Sequence, residues 1–229
     1  MTMAMLLVLL GLGSWQVKRL FWKQALLAQI AHAEAGPPVP LAQLEPAGET
    51  PFTPSPYLKV SASGIFLPDE TALYGAEVRD VVSGPAMGAQ LIEPLREANG
   101  ELVLVDRGWV PLSRTQPLDQ PTGEVTVSGY VRPGDSPHWF SATDDPSARR
   151  FFTLDPKAIG TAIGLPQVQP FVLVVLATEA RGGGDEWPAP AQHLPRPPNN
   201  HLSYAITWYG LAVALAVIFT IWARKGPSA

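Results

Sequence analysis

The stretch LSYAITWYGLAVALAVIFTIWA, residues 202–223, contains no charged residue. That length matches the ~20 residues a helix needs to cross about 30 Å of hydrocarbon. Few helices of soluble proteins are apolar all round over such a length. Tyr204, Trp208 and Tyr209 lie near one end and Trp222 at the other, where an aromatic belt would place them, and Arg224 and Lys225 stop the run. Residues 1–17 are also free of charge, and Lys18, Arg19 and Lys23 follow them. A signal peptide competes for this first run, because Ala31-His32-Ala33 resembles an A-x-A cleavage site. The charges follow the apolar run instead of preceding it, which reverses the signal-peptide order. An uncleaved span is therefore expected, with spans over 1–20 and 201–223.

The composition agrees with this placement. Of the 229 residues 46% are hydrophobic and only 16% charged, so the apolar surplus gathers at the two ends. This speaks against a plain cytosolic enzyme and against intrinsic disorder. All 20 acidic residues lie between Glu34 and Glu186, whereas the basic residues at the ends adjoin the apolar runs. An acidic middle speaks against nucleic acid as a partner, and cations beside apolar segments suit lipid headgroups. The absence of cysteine removes disulfides, thiol nucleophiles, Cys-based zinc sites and covalent haem attachment. Arg224 and Lys225 place the C-terminal end in the cytoplasm. Lys18, Arg19 and Lys23 pull the other way, but a long middle segment translocates largely regardless of charge. The middle is therefore expected outside the cytoplasm.

All but one of the 25 prolines fall between Pro37 and Pro198. Pro37 to Pro56 reads as an extended entry linker to a domain spanning 35–198. Strands are expected over 57–66, 73–78, 89–93, 102–110, 125–131 and 171–177, with Asn99-Gly100 turning between two of them. One helix is expected where Asp155 caps, Pro156 opens the first turn and Ile159 and Ile163 repeat at i, i+4, with Gly164 ending it. The expected architecture is two transmembrane helices flanking a mainly-β, barrel- or sandwich-like extramembrane domain.

Catalytic candidates are sparse. His32, His138, His193 and His201 show no metal-binding spacing, and no nucleophile elbow, phosphate loop or dinucleotide fingerprint occurs. Asp144-Asp145 and Asp185-Glu186 read as solvated loop acids. Copper delivery would want Cys or clustered Met, and three of the four methionines are Met1, Met3 and Met5. The entry to the second span differs. His201, Tyr204 and Trp208 stand at i, i+3 and i+7 of a helix, forming one stripe. An imidazole at a membrane boundary is a good axial ligand for haem iron, and the two rings could pack on a flat macrocycle. The same three residues are also ordinary interfacial anchors. A strand Arg such as Arg107, beside Trp109, could pair with an acid and stack, serving the fold or a partner. Trp139, Phe140, Phe151 and Phe152 are open to the same two readings.

Asn199 to Trp208, followed by Tyr209-Gly210-Leu211-Ala212, resembles the start of the second membrane helix of the surfeit locus protein 1 family of cytochrome c oxidase assembly factors. Gly13-Ser14-Trp15-Gln16-Val17-Lys18-Arg19-Leu20 is similar to that family's first-helix exit, with its W-Q-x-x-R pattern. Leu91 to Pro94 with Val103 to Pro111 resembles its R-G-W-V-P strand, and Phe151 to Asp155 its aromatic-x-x-x-D step. The resemblance implies an assembly factor without enzymatic activity, which binds haem a as transient cargo and supports its insertion into oxidase subunit I. Its implied site residues are His201, as ligand to the haem iron, and Trp208, with Tyr204 added. The implied partners are subunit I, the lipid bilayer and, as a further candidate, haem a synthase. With no Arg/Ser-rich leader before the first run, a bacterial cytoplasmic membrane is expected, with the domain periplasmic and both termini cytoplasmic. The alternative kept open is a scaffold that stabilises unassembled subunit I without touching haem. A sensor or receptor would want an output domain, and only Arg224 to Ala229 follows the second span.

Overall fold

The structure, a computed structural model, describes residues 1–44, 56–113, 117–136, 139, 141–177 and 186–224. It divides into two compact units, one formed by the chain's two ends and one by Ala33–Leu194.

The terminal unit contains two long helices, α1 (Thr2–Ala35) and α3 (His201–Arg224). Both are long and apolar enough to cross a membrane. The chain is thus read as a membrane protein. At 1.5 Å per residue, α1 is roughly 50 Å long, well beyond the hydrocarbon thickness, and it runs unbroken through Ala31-His32-Ala33. Buried Leu9, Gly13 and Gln16 stand at i, i+4 and i+7 on α1. On α3, buried Ala205 and Ala212 share a seam with half-buried His201 and Trp208, at i, i+4, i+7 and i+11. Small residues on such seams let backbones approach. At Gly13 an added Cβ would lie 2.8 Å from the Tyr209 ring, so the tyrosine occupies the space that glycine leaves.

The second unit is mainly β. Its strands are β1 (Val39–Pro40), β2 (Lys59–Phe66), β3 (Ala72–Val81), β4 (Gly84–Glu97), β5 (Leu102–Pro111), β6 (Val125–Pro133), β7 (Arg150–Phe151) and β8 (Val168–Val175). The sheet runs β1-β2-β6-β8-β5-β4-β3-β7, and β2 also pairs with β4. That extra pairing joins β2, β6, β8, β5 and β4 into a closed five-stranded barrel, as the mainly-β expectation allowed. Closure removes the open edges that a five-stranded sheet would expose. Val60, Ala62 and Phe66 alternate inward from β2 and meet Leu95, Val103, Val105 and Leu173 in the barrel interior. A second core lies on the outer face of the wall. There Ile92, Leu104 and Val172 meet Ile159 and Ile163 of α2 (Pro156–Ala162), together with Phe151 and Leu154. Strand β5 separates the two cores, which is why every one of its residues is buried.

The six expected strands overlap observed ones. The helix starts where expected: the Asp155 carboxylate accepts from the backbone N–H of Lys157 (3.0 Å) and Ala158 (3.2 Å), and Pro156 opens the first turn. The entry segment is more than a linker. Val39 and Pro40 pair parallel with Val60 and Ser61, and Leu41 is buried in the barrel core. Residues 45–55, which carry several of the linker prolines, lie outside the described residues.

Candidate functional site

His201 is the first residue of α3, and Gln16 sits on the buried seam of α1. The His201 Nδ1 lies 2.7 Å from the Gln16 side-chain oxygen Oε1. An amide oxygen only accepts, so Nδ1 carries the proton and donates. In the neutral imidazole this arrangement leaves the lone pair on Nε2, the form in which a histidine ligates a metal while its other ring nitrogen is held by an outer partner. The donor set thus fits a porphyrin iron held by one protein ligand. It does not fit a metal ion held by protein alone. Among the described residues, no group of three or more His, Asp or Glu is close enough for that.

The remaining stripe residues separate. Trp208 shares the seam with His201 and is half-buried, whereas Tyr204 is 55% exposed. Tyr209 is the aromatic that joins the helices, its hydroxyl 3.1 Å from Ser14 Oγ and its ring over Gly13. Of the other histidines, His32 is exposed near the end of α1, and His193 Nδ1 lies 2.9 Å from the Leu194 carbonyl. His138 and Asp185 lie outside the described residues, as does Phe140. The Asp144-Asp145 pair shapes a turn. Asp144 accepts from the Phe152 and Thr153 N–H groups, and Asp145 accepts from Ser147 and Ala148. Phe151 belongs to the outer core. Phe152 is half-buried with the Arg150 guanidinium 5.1 Å from its ring, and Trp139 is exposed.

Gln16 escaped the sequence reading as a site residue. The signal was there: it is the lone side-chain amide in an uncharged run, and such a group inside a span needs a partner.

The R-G-W strand builds a different cluster. Where Leu91 pairs with Gly108 and Ile92 with Asp106, Arg107 is left over as a β-bulge. Its guanidinium points into the barrel, donating to Glu93 at 2.7 Å and to the Asp119 carbonyl at 2.8 Å, and it stacks 4.8 Å from the Phe66 ring centroid. Both Arg107 and Glu93 are buried. After the bulge, Trp109 turns to the face opposite Arg107, donating from Nε1 to the Glu77 carbonyl and meeting Trp187 edge-on. Arg107 and Trp109 therefore hold the fold together with their polar groups satisfied internally.

Asp106, beside the bulge, is buried, and burial pushes its carboxyl up to about 7; the Gly108 N–H and the Arg132 and Arg79 charges oppose that rise. A folded-state value raised above the ordinary 3.8 stabilises the fold fully below about 3.8 and ceases to do so as pH rises through 7. Asp106→Asn retains an acceptor for Gly108 without the charge. It is expected to raise the melting temperature at pH 8 and to flatten its dependence on pH between 4 and 7. A melting curve with unaltered pH dependence would remove Asp106 as the responsible group.

A model of the SURF1 family matches residues 3–213. The chain is similar to the SURF1-like protein of Rickettsia conorii, 28% identical over 221 residues, covering 95% of this chain and 88% of the relative. It is 31% identical to the SURF1-like protein of Monosiga brevicollis over 230 residues, covering 96% and 85%. Against Surfeit locus protein 1 of Mus musculus it is 28% identical over 233 residues, covering 95% and 73%. Matched from its first apolar helix into the second, this chain belongs to the SURF1 family.

Proposed function

We propose that this chain is an assembly factor for haem–copper cytochrome c oxidase that holds haem a at the membrane edge and supports its insertion into subunit I. Family membership supports the general role in oxidase assembly. The haem-holding part rests on one observation: the Gln16–His201 hydrogen bond, which leaves His201 Nε2 available as a ligand at the mouth of two apolar segments. Free haem a aggregates in water, and its isoprenoid tail favours hydrocarbon. A site at the boundary can ligate the iron while the tail stays among lipid chains. A single protein ligand also suits a carrier, because the cargo must leave for a stronger site. Trp208, on the same seam, supplies a flat apolar surface beside the ligand. In this reading the cargo is carried unchanged and no reaction is catalysed. The domain between the helices faces the periplasm of a bacterial inner membrane, with Arg224 on the cytoplasmic side.

The test is the visible spectrum of the full chain, purified from membranes of cells that make haem a. Wild type is expected to carry a haem a band that His201→Ala loses. Gln16→Leu is expected to retain the ligand but weaken haem affinity by about 10- to 100-fold, the usual cost of removing an outer-shell partner. A colourless wild type from cells shown to contain haem a would overturn the holding role. Copurification of subunit I irrespective of His201 would then point to a scaffold.

A further inference from the structure

The middle of α1 presents a second feature next to Gln16. Arg19 and Lys23 follow it at i+3 and i+7, on the same side of the helix. The Arg19 guanidinium stacks 4.2 Å from the Trp22 ring centroid, and the Lys23 ammonium lies 6.0 Å from the same ring. Residues 1–33 contain no acid, so these cations have no acidic neighbour along that part of the helix. Lys18 and Trp15 lie farther round the helix; Arg19 and Trp22 are exposed like them, and Lys23 is half-buried.

Direction matters here. Helix α1 leaves its apolar run just after Gln16, whereas α3 enters its own just after His201. The ligand pair therefore stands at the polar end of both apolar segments. Arg19 and Lys23 lie on its water side, roughly 5 and 10 Å farther along α1 by helix rise. The periphery of haem is charged along one edge only, where two carboxylates project on short arms from the macrocycle. We propose that Arg19 and Lys23 are the anion-binding half of the same cargo site. They hold the carboxylates of a porphyrin ligated by His201 and so fix which edge of the ring faces water. This inference rests on the haem-holding reading above. The Trp22 ring holds the guanidinium in place before cargo arrives, and planar Arg is suited to paired carboxylate recognition.

The test uses the full chain in nanodiscs of neutral phosphatidylcholine, titrated with iron protoporphyrin IX as the free acid and as its dimethyl ester, followed by the Soret band. Wild type is expected to bind the free acid about tenfold more tightly than the ester, the scale of one charge-assisted contact. Arg19→Gln with Lys23→Gln is expected to remove that preference while leaving the ester's affinity and the Soret position unaltered. Retained ester binding also reports that the double variant is folded. A double variant that keeps the free-acid preference, with a Soret band still dependent on His201, overturns this proposal alone. A Soret band indifferent to His201→Ala with either porphyrin overturns the haem reading and this inference together. If the double variant instead loses only its enrichment of phosphatidylglycerol in mixed-lipid discs, the cations serve a lipid phosphate and the proposal fails.

Discussion

Replacing Arg107 with methionine is expected to destabilise the β domain by about 3–5 kcal/mol, the usual cost of stranding one member of a buried ion pair. Glu93 is 2% exposed, and its side-chain partner is the Arg107 guanidinium at 2.7 Å. Without that partner the carboxylate must ionise in a low-dielectric interior, take up a proton, or drag the strand toward water. The second guanidinium bond, to the Asp119 carbonyl, is lost as well. A double variant, Arg107→Met with Glu93→Met, removes both charges and keeps apolar volume against Phe66. It is expected to recover most of the loss, because a buried pair and a well-packed apolar substitute are often close in stability. Thermal or denaturant unfolding of the full chain in detergent, with the four members of the cycle side by side, gives the coupling directly. A single variant that loses under 1 kcal/mol would mean that Glu93 reaches solvent without its partner.

Gly108→Ala is expected to be comparably severe, for a steric reason. Gly108 has φ +125°, and a Cβ placed there would lie 2.1 Å from the Ala189 carbonyl oxygen. That carbonyl accepts the Trp109 N–H at 2.9 Å, while the Ala189 N–H donates to the Trp109 carbonyl. The methyl therefore pushes apart a backbone bridge that cannot swing aside as a side chain could. Backbone strain alone is about 1–3 kcal/mol, and the clash adds to it. Gly100→Ala is the matched control. Gly100 has φ +88° in the β4–β5 turn, but nothing lies within 4 Å of its added Cβ, so it should lose only the strain component. Equal losses at the two positions would show that the approach of residue 189 contributes nothing.

The sequence makes the elements visible more readily than their arrangement. Local chemistry places α2, because Asp155, Pro156 and the Ile159/Ile163 spacing act within a few residues. Alternation in 57–66 and 125–131 likewise reveals which face of each strand is apolar. The tip of the β3–β4 hairpin was not legible as strand. The expected strands stop at 78 and resume at 89, yet Val81 pairs with Gly84 and Asp80 with Pro85. Two-residue β1 and β7 carry no periodic signal at all. Their pairing comes from tertiary contact. Arg107 and Trp109 show how a bulge hides from pattern reading, since residues two apart in a regular strand share a face and these do not. At the candidate site, the helical spacing of His201 and Trp208 is local and readable. The partner that holds His201 Nδ1 comes from the opposite end of the chain, and no spacing rule reaches that far. Tyr204 illustrates the converse: i, i+3 brings it near the stripe, but the seam on α3 runs through Ala205 and leaves Tyr204 outside it.

Strand order has a consequence for how the chain is made. β8 is the last strand in sequence, yet it lies between β5 and β6, parallel to the first and antiparallel to the second. Both neighbours are synthesised long before it. Until Val168–Val175 emerges, β5 and β6 each expose a row of unpaired amides on one side, and the interior around Val103, Val105 and Val131 is open. A nascent chain stopped before Val168 cannot close the barrel, whatever its earlier hairpins have achieved. Closure must wait for a segment that is soon followed by α3, so completion of the domain and delivery of the second apolar helix fall at nearly the same moment of biosynthesis.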